Sequence, residues 1–146
     1  MPTIETPKKH SVTTTTRSTK WLRDRGYSVS NVEKWISFPD RANGNKIIRM
    51  RQDCFGFADL VAVKSDVVGT LYVQTTSRGN QSARRNKILA SPDAANILQA
   101  GNRIHVHGWG QVGERGKRKL WEVFVFEAKL EHGRVNFYPL LEEEAF

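Results

Sequence analysis

Two apolar runs, residues 57–63 and 70–76, stand out in an otherwise polar chain, joined by a short polar turn at 64–69. Each has the length of a strand. A run that is apolar at nearly every position predicts a central strand covered on both faces. Upstream, residues 17–26 (RSTKWLRDRG) predict a short helix. Trp21 and Leu22 form its buried side, Lys20, Arg23 and Arg25 point outward, Ser18 serves as N-cap and Gly26 as stop. Residues 27–36 alternate as a half-exposed strand does, 40–45 (DRANGN) are a turn cluster, 46–50 a strand or hairpin arm, and a loop runs to Gly56. Downstream, residues 77–80 hold Gly79 and an N-cap. Residues 81–90 have helical spacing with Ala83, Ile88 and Leu89 inward, and SPDAANILQAG reads as a second helix with Pro92 in its first turn and Gly101 as stop. Residues 103–109 predict a strand, GERGKRK a basic turn, 120–130 a long strand and 135–138 a last one. The order predicts an α/β fold, a mixed central sheet flanked by helices.

A chain of 146 residues suits one domain with one core. The expected division is a Thr-rich, basic, disordered arm at 1–16, a single domain at 17–140 and an acidic tail at 141–146. The 23 Lys and Arg against 15 Asp and Glu leave a net charge of +8, which favours a polyanionic partner, nucleic acid first. The lone Cys54 excludes an intramolecular disulfide and fits a reduced, cytoplasmic setting. No apolar run reaches the roughly 18 residues of a membrane span, and the first 16 residues lack the apolar run of a secretory signal.

Candidate chemistry sits inside the two apolar runs, where Asp59 and Gln74 interrupt them. Side chains alternate along a strand, so Gln74 and Thr76 share a face at one strand end, and Asp59 on a neighbouring strand roughly 4.8 Å away reaches the same spot. The Asp59 carboxylate, the Gln74 side-chain carbonyl and the Thr75 backbone carbonyl would form an oxygen-only pocket of the kind magnesium prefers. The alternative is structural: Asp59 caps the turn after Gly56, and Gln74 satisfies a buried backbone group.

The pattern FGFAD…QTT followed by a basic helix resembles the core of the PD-(D/E)XK nuclease superfamily, the restriction-endonuclease-like fold, and small phage-encoded nuclease-like proteins. The family's first acidic residue matches Asp59, preceded by Ala58 in place of the customary proline. Its second acidic position falls on Gln74, and its motif lysine on Thr76. The resemblance implies an αβββαβ core with a C-terminal β-hairpin extension. It implies a DNA endonuclease, or a nuclease resembling Holliday-junction resolvases, dependent on Mg²⁺ or Mn²⁺, in host cytoplasm if phage-encoded, with paired subunits. Asp59, Gln74 and Thr75 (backbone carbonyl) would hold the metal, and Asp59, Gln74, Thr76 and Lys87 would form the catalytic set. Threonine supplies no charge, so Lys87 or Arg84 on the following helix, or Lys20 on the first, would replace the lysine. Asp53 and Glu33 are additional acidic candidates, with a loop cap and a solvated strand residue as their respective alternatives. Without a replacement for the lysine, the same fold is a DNA-binding module. A structural or host-interaction protein with an incidental basic surface is the third reading.

SRGNQSARRNK places Arg78, Asn80, Arg84, Arg85 and Lys87 just beyond the candidate site, where they suit phosphate oxygens. Arg84, Arg85 and Lys87 cannot all share one helix face. Arg115, Lys117 and Arg118 lie in a basic tip that either reaches nucleic acid or guards a sheet edge. His105 and His107 share a strand face, which fits a sheet-surface or second-layer role better than zinc, since no third ligand is evident. Trp21, Trp35, Trp109 and Trp121 are dispersed, which favours core packing over a base-stacking platform. Cys54 reads as a small filler. No Walker loop, dinucleotide glycine pattern, nucleophile elbow or Cys–His pair is present.

Overall fold

The computed structural model describes residues 12–141. Most of the expected N-terminal arm and all but Leu141 of the acidic tail therefore lie outside the described residues. The helix α1 spans Thr14–Asp24 and begins three residues earlier than expected. Thr13 caps it, its hydroxyl accepting from the Thr16 N–H at 3.1 Å. Ser18 is not the cap: it is buried in mid-helix, one turn before Leu22 on the face that meets the sheet.

Residues 27–36 form two strands in two different sheets. β1 (Ser28–Asn31) ends where the Asn31 side chain accepts from the Glu33 N–H at 2.9 Å, a local turn that competes with strand pairing. β2 (Lys34–Asp40) then pairs antiparallel with β3 (Lys46–Gln52) in a separate two-stranded ribbon. Asp40 closes the tip by accepting from the Ala42 N–H at 3.1 Å and from Asn43 Nδ2 at 2.8 Å. The chain returns through a tight loop in which Cys54 bridges Ala58.

β4 (Leu60–Lys64) and β5 (Val67–Ser77) are the two apolar runs, the first beginning three residues late and the second three residues early. A 3-10 turn at Arg78–Asn80 leads into α2 (Gln81–Leu89) and α3 (Pro92–Gln99), with Ser91 capping α3. β6 (Arg103–Val112), β7 (Leu120–Glu131) and β8 (Arg134–Leu140) complete the molecule. The main sheet has six strands in the order β1-β4-β5-β6-β7-β8; β5 and β6 are parallel and the other neighbours antiparallel. The fold is thus mixed α/β, with a mostly sheet core and three helices.

Alternation assigns the two faces. Leu60, Ala62, Leu71 and Val73 pack with Leu22 and Tyr27 under α1. Ile104, Val106, Phe57 and Ala58 pack with Ile88, Ala94 and Ile97 under α2 and α3. In α2 the inward stripe is Gln81, Arg84, Arg85 and Ile88, so Ala83 and Leu89, expected inward, are exposed. The helix is short, and a long polar side chain set on the sheet directs its rotation. Gln81 Nε2 donates to the carbonyls of Phe124 at 2.6 Å and Val106 at 3.3 Å. No described helix is long and apolar enough to cross a membrane.

Candidate metal centre

The register of β4 on β5 pairs Leu60 with Val73. One step further, Asp59 stands opposite Gln74, so the two polar interruptions of the apolar runs do meet. Asp59 Oδ2 accepts from the Gln74 amide nitrogen at 2.9 Å, the Thr75 N–H at 2.8 Å and the Thr75 hydroxyl at 3.2 Å. Thr14 and Thr15, at the start of α1, bond the same Thr75 hydroxyl at 3.2 and 3.0 Å. The helix N-terminus is thereby tied to the residue that holds the carboxylate.

The ribbon brings two more carboxylates. β2 pairs with β3 through Lys34 and Gln52. Extending that register one step places Glu33 opposite Asp53 at the ribbon's base. One oxygen each of Glu33, Asp53 and Asp59 lie within 4.8 Å of one another. They line a polar hollow of about 80 Å³, shared with Thr75, Arg51 and Arg84. Arg51 Nη1 lies 3.5 Å from Glu33 Oε1. Asp53 Oδ1 is buried without a hydrogen-bond partner.

Such crowding is costly while all three groups are charged. Burial first, and then the hydrogen bond it shares with Glu33, raise the Asp59 carboxyl, which stands at about 8 when all its neighbours are counted. The Thr75 N–H pulls it back, and the charges of Asp53 and Glu33 raise it again. The crowded carboxylates therefore favour holding a proton among them, and a cation among the three groups would replace it. The donor set fits a hard divalent cation: three carboxylates, oxygen only, open to water on one side.

The other expected site residues divide into those at the hollow and those away from it. Gln74 turns its nitrogen, not its carbonyl, to Asp59, and that nitrogen also donates to the Thr75 carbonyl at 3.2 Å. Gln74 Oε1 is buried without a partner. The expected Gln74 carbonyl ligand beside Asp59 is thus an amide donor that holds the carboxylate, because the acceptor Oδ2 selects the N–H₂ side of the amide. Thr76 is buried and does not line the hollow. Lys87 is exposed and is not among the residues that line it, whereas Arg84 is. Lys20 pairs with Asp24 at 2.7 Å on the outer face of α1.

The Arg78 guanidinium sits over the Phe124 ring, 3.7 Å from its centroid, and that of Arg85 over Phe126 at 3.9 Å, so both are held against β7. Asn80 is exposed at the start of α2 and makes no side-chain cap bond. Arg115, Lys117 and Arg118 are exposed in the β6–β7 loop, where Lys117 pairs with Glu114 at 2.8 Å. Because β5 and β6 are parallel and β4 runs against them, Asp59, the ribbon base, Arg78 and this loop share one end of the sheet.

His105 and His107 are wholly buried under α1. Trp109 Nε1 donates to Ser18 Oγ at 2.8 Å, which leaves the Ser18 hydroxyl proton for His107 Nδ1 at 2.9 Å. His105 Nε2 meets Glu127 Oε2 at 2.8 Å. Burial keeps both imidazoles below their usual range and His107 well below it. Both histidines are therefore neutral parts of a buried hydrogen-bonded layer, as the second-layer reading expects.

Sequence reasoning missed Arg51 and the threonines of α1. The signal for the Glu33–Asp53 encounter was present: counting outward from the DRANGN turn pairs them. Comparison with protein-family models, with curated proteins and with solved structures finds no match.

Proposed function

We propose that this chain is a metal-dependent nuclease that hydrolyses phosphodiester bonds in DNA. The convergence of Glu33, Asp53 and Asp59 within 4.8 Å, in an open hollow edged by Arg84 and Arg51, carries the reading. The element order supports it. If the β2–β3 ribbon is taken as an insertion, α1-β1-β4-β5-α2-α3-β6, with β5 and β6 parallel, follows the αβββαβ order of the PD-(D/E)XK core with a helix pair in the place of its second helix.

Glu33, Asp53 and Asp59 would hold Mg²⁺ or Mn²⁺, which when bound supplies an acidified water and offsets charge on the phosphate. Thr75 and Gln74 orient Asp59 by three hydrogen bonds. Arg84 is the cation placed to neutralise the scissile phosphate where the family's lysine position holds Thr76. The exposed Lys87 is better suited to the flanking backbone. Among the described residues no lysine lines the hollow, which favours a second reading, a DNA-binding module without catalysis.

Linear, supercoiled and branched DNA incubated with Mg²⁺ or Mn²⁺ separates the two. The nuclease reading expects cleavage by the native chain, lost in Asp59→Asn and strongly reduced in Glu33→Gln. Equal cleavage by native chain and variants defeats the site assignment. Salt-sensitive binding without cleavage establishes the binding module, and no binding at all leaves the basic surface incidental.

A further inference from the structure

The β2–β3 ribbon stands apart from the main sheet, and its register gives it two unlike faces. One carries Ile36 opposite Met50 and Phe38 opposite Ile48. The other begins with Glu33 and Asp53 at the base, continues with Trp35 opposite Arg51 and Ser37 opposite Arg49, and ends near the tip with Pro39 opposite an exposed Ile47. Trp35 is the anomaly. A buried core or the ribbon's apolar face would suit an indole, yet this one sits among arginines with 66% of its surface exposed. Arg51 reaches across its ring, 5.6 Å from the centroid, and Arg49 makes no ion pair among the described residues. Residues 34–52 hold five basic residues against one acid, half of the chain's net charge of +8.

We infer that this face is a holding surface for an unpaired nucleic-acid strand, with Trp35 stacking on a base and Arg49 and Arg51 on the backbone. The inference rests on the nuclease reading for its purpose and names that site's substrate as single-stranded or frayed nucleic acid. An exposed indole beside arginines offers an unpaired base a stacking platform and the backbone its countercharge. Bases in a duplex keep their faces stacked on each other and cannot use it. Trp35 is two residues from Glu33, about 6.7 Å along the strand. That short span lets a base on Trp35 set a nearby phosphate of the same strand at the carboxylates. Arg51 bonds Glu33 at the boundary between the two regions and can pass to the phosphate when a cation neutralises the carboxylates.

The test is fluorescence anisotropy of the full chain in EDTA, where no cleavage occurs. The probes are a labelled single-stranded DNA 12-mer, the same strand with abasic sites, and a blunt duplex. Trp35→Ala is expected to weaken single-strand binding about tenfold or more and Trp35→Phe to restore most of it. The abasic strand, equal in charge, should bind the native chain as weakly as the intact strand binds Trp35→Ala. Duplex binding should not change. Arg49→Ala should lower the salt slope by about one. Unchanged single-strand binding by Trp35→Ala, or equal binding of intact and abasic strands, overturns the inference even if the native chain cuts DNA. Trp35-dependent stacking without cleavage in Mg²⁺ or Mn²⁺ upholds it and removes the nuclease reading.

Discussion

His107 shows how a single buried group shapes the response of this molecule to acid. It is enclosed by α1 and β6 and bonded to Ser18, and the charge of Arg25, together with that of His105 whenever His105 is protonated, adds to the effect of burial. Its folded-state value lies well below the ordinary value near 6.5. Above that pH the folded and unfolded chains are both neutral here, and the full stability is present. Below it the unfolded chain takes up a proton that the folded chain refuses, so stability falls as the pH falls. The raised Asp59 carboxyl acts in the opposite sense, so the contribution of His107 is read by difference: between pH 7 and pH 5 the native melting temperature should fall more, or rise less, than that of His107→Gln, whatever the variant's effect at pH 8. A parallel slope in the variant would show that other groups set the acid response. Gly108, the next residue, matters for space. A Cβ there would lie 2.5 Å from the Gln81 amide. Gly108→Ala is expected to lower stability by about 1–3 kcal/mol in denaturant titration, since it overpacks the site and frees two carbonyls. Gln81→Ala should remove most of the added penalty in the double variant.

At the scale of elements, the sequence was legible where period and burial agree. Two apolar runs interrupted at Asp59 and Gln74 lead directly to paired strands with those residues opposed, because strand alternation leaves little freedom once the register is set. The same reasoning failed where polar side chains occupy inward positions. α2 was oriented by Ala83, Ile88 and Leu89, yet Gln81, Arg84 and Arg85 take the sheet side, the first by bonding carbonyls and Arg85 by covering a ring of β7. Hydrophobicity carries no sign of such contacts. Trp35 failed for the opposite reason: its bulk suggests a core, but a ribbon pairing mainly with itself has none to offer. Glu33 and Asp53 were visible as acids, and as neighbours only once the hairpin is centred on the DRANGN turn. Their meeting depends on where the ribbon turns and on an Asn31 side chain that ends β1 early.

The whole molecule divides into a six-stranded body and a projecting ribbon that shares only its base with the body. Replacing residues 34–52 by a two-residue Asn-Gly turn keeps Glu33 and Asp53 adjacent. The melting temperature should change by no more than about 4 °C, since little apolar surface is buried between the parts. Single-strand binding should fall at least as far as in Trp35→Ala. A collapse of the melting transition would show that the ribbon is part of the body after all.

Everything chemical in this molecule gathers at one end of the sheet, and the Ser65–Asp66 turn between β4 and β5 lies at the other. Burial raises the thiol of Cys54, the only native cysteine, so little thiolate forms there at neutral pH. A cysteine introduced at exposed Ser65 would thus react first with a maleimide. It would give a dye or a surface tether a fixed handle on the far side of the protein from any strand held at the carboxylates.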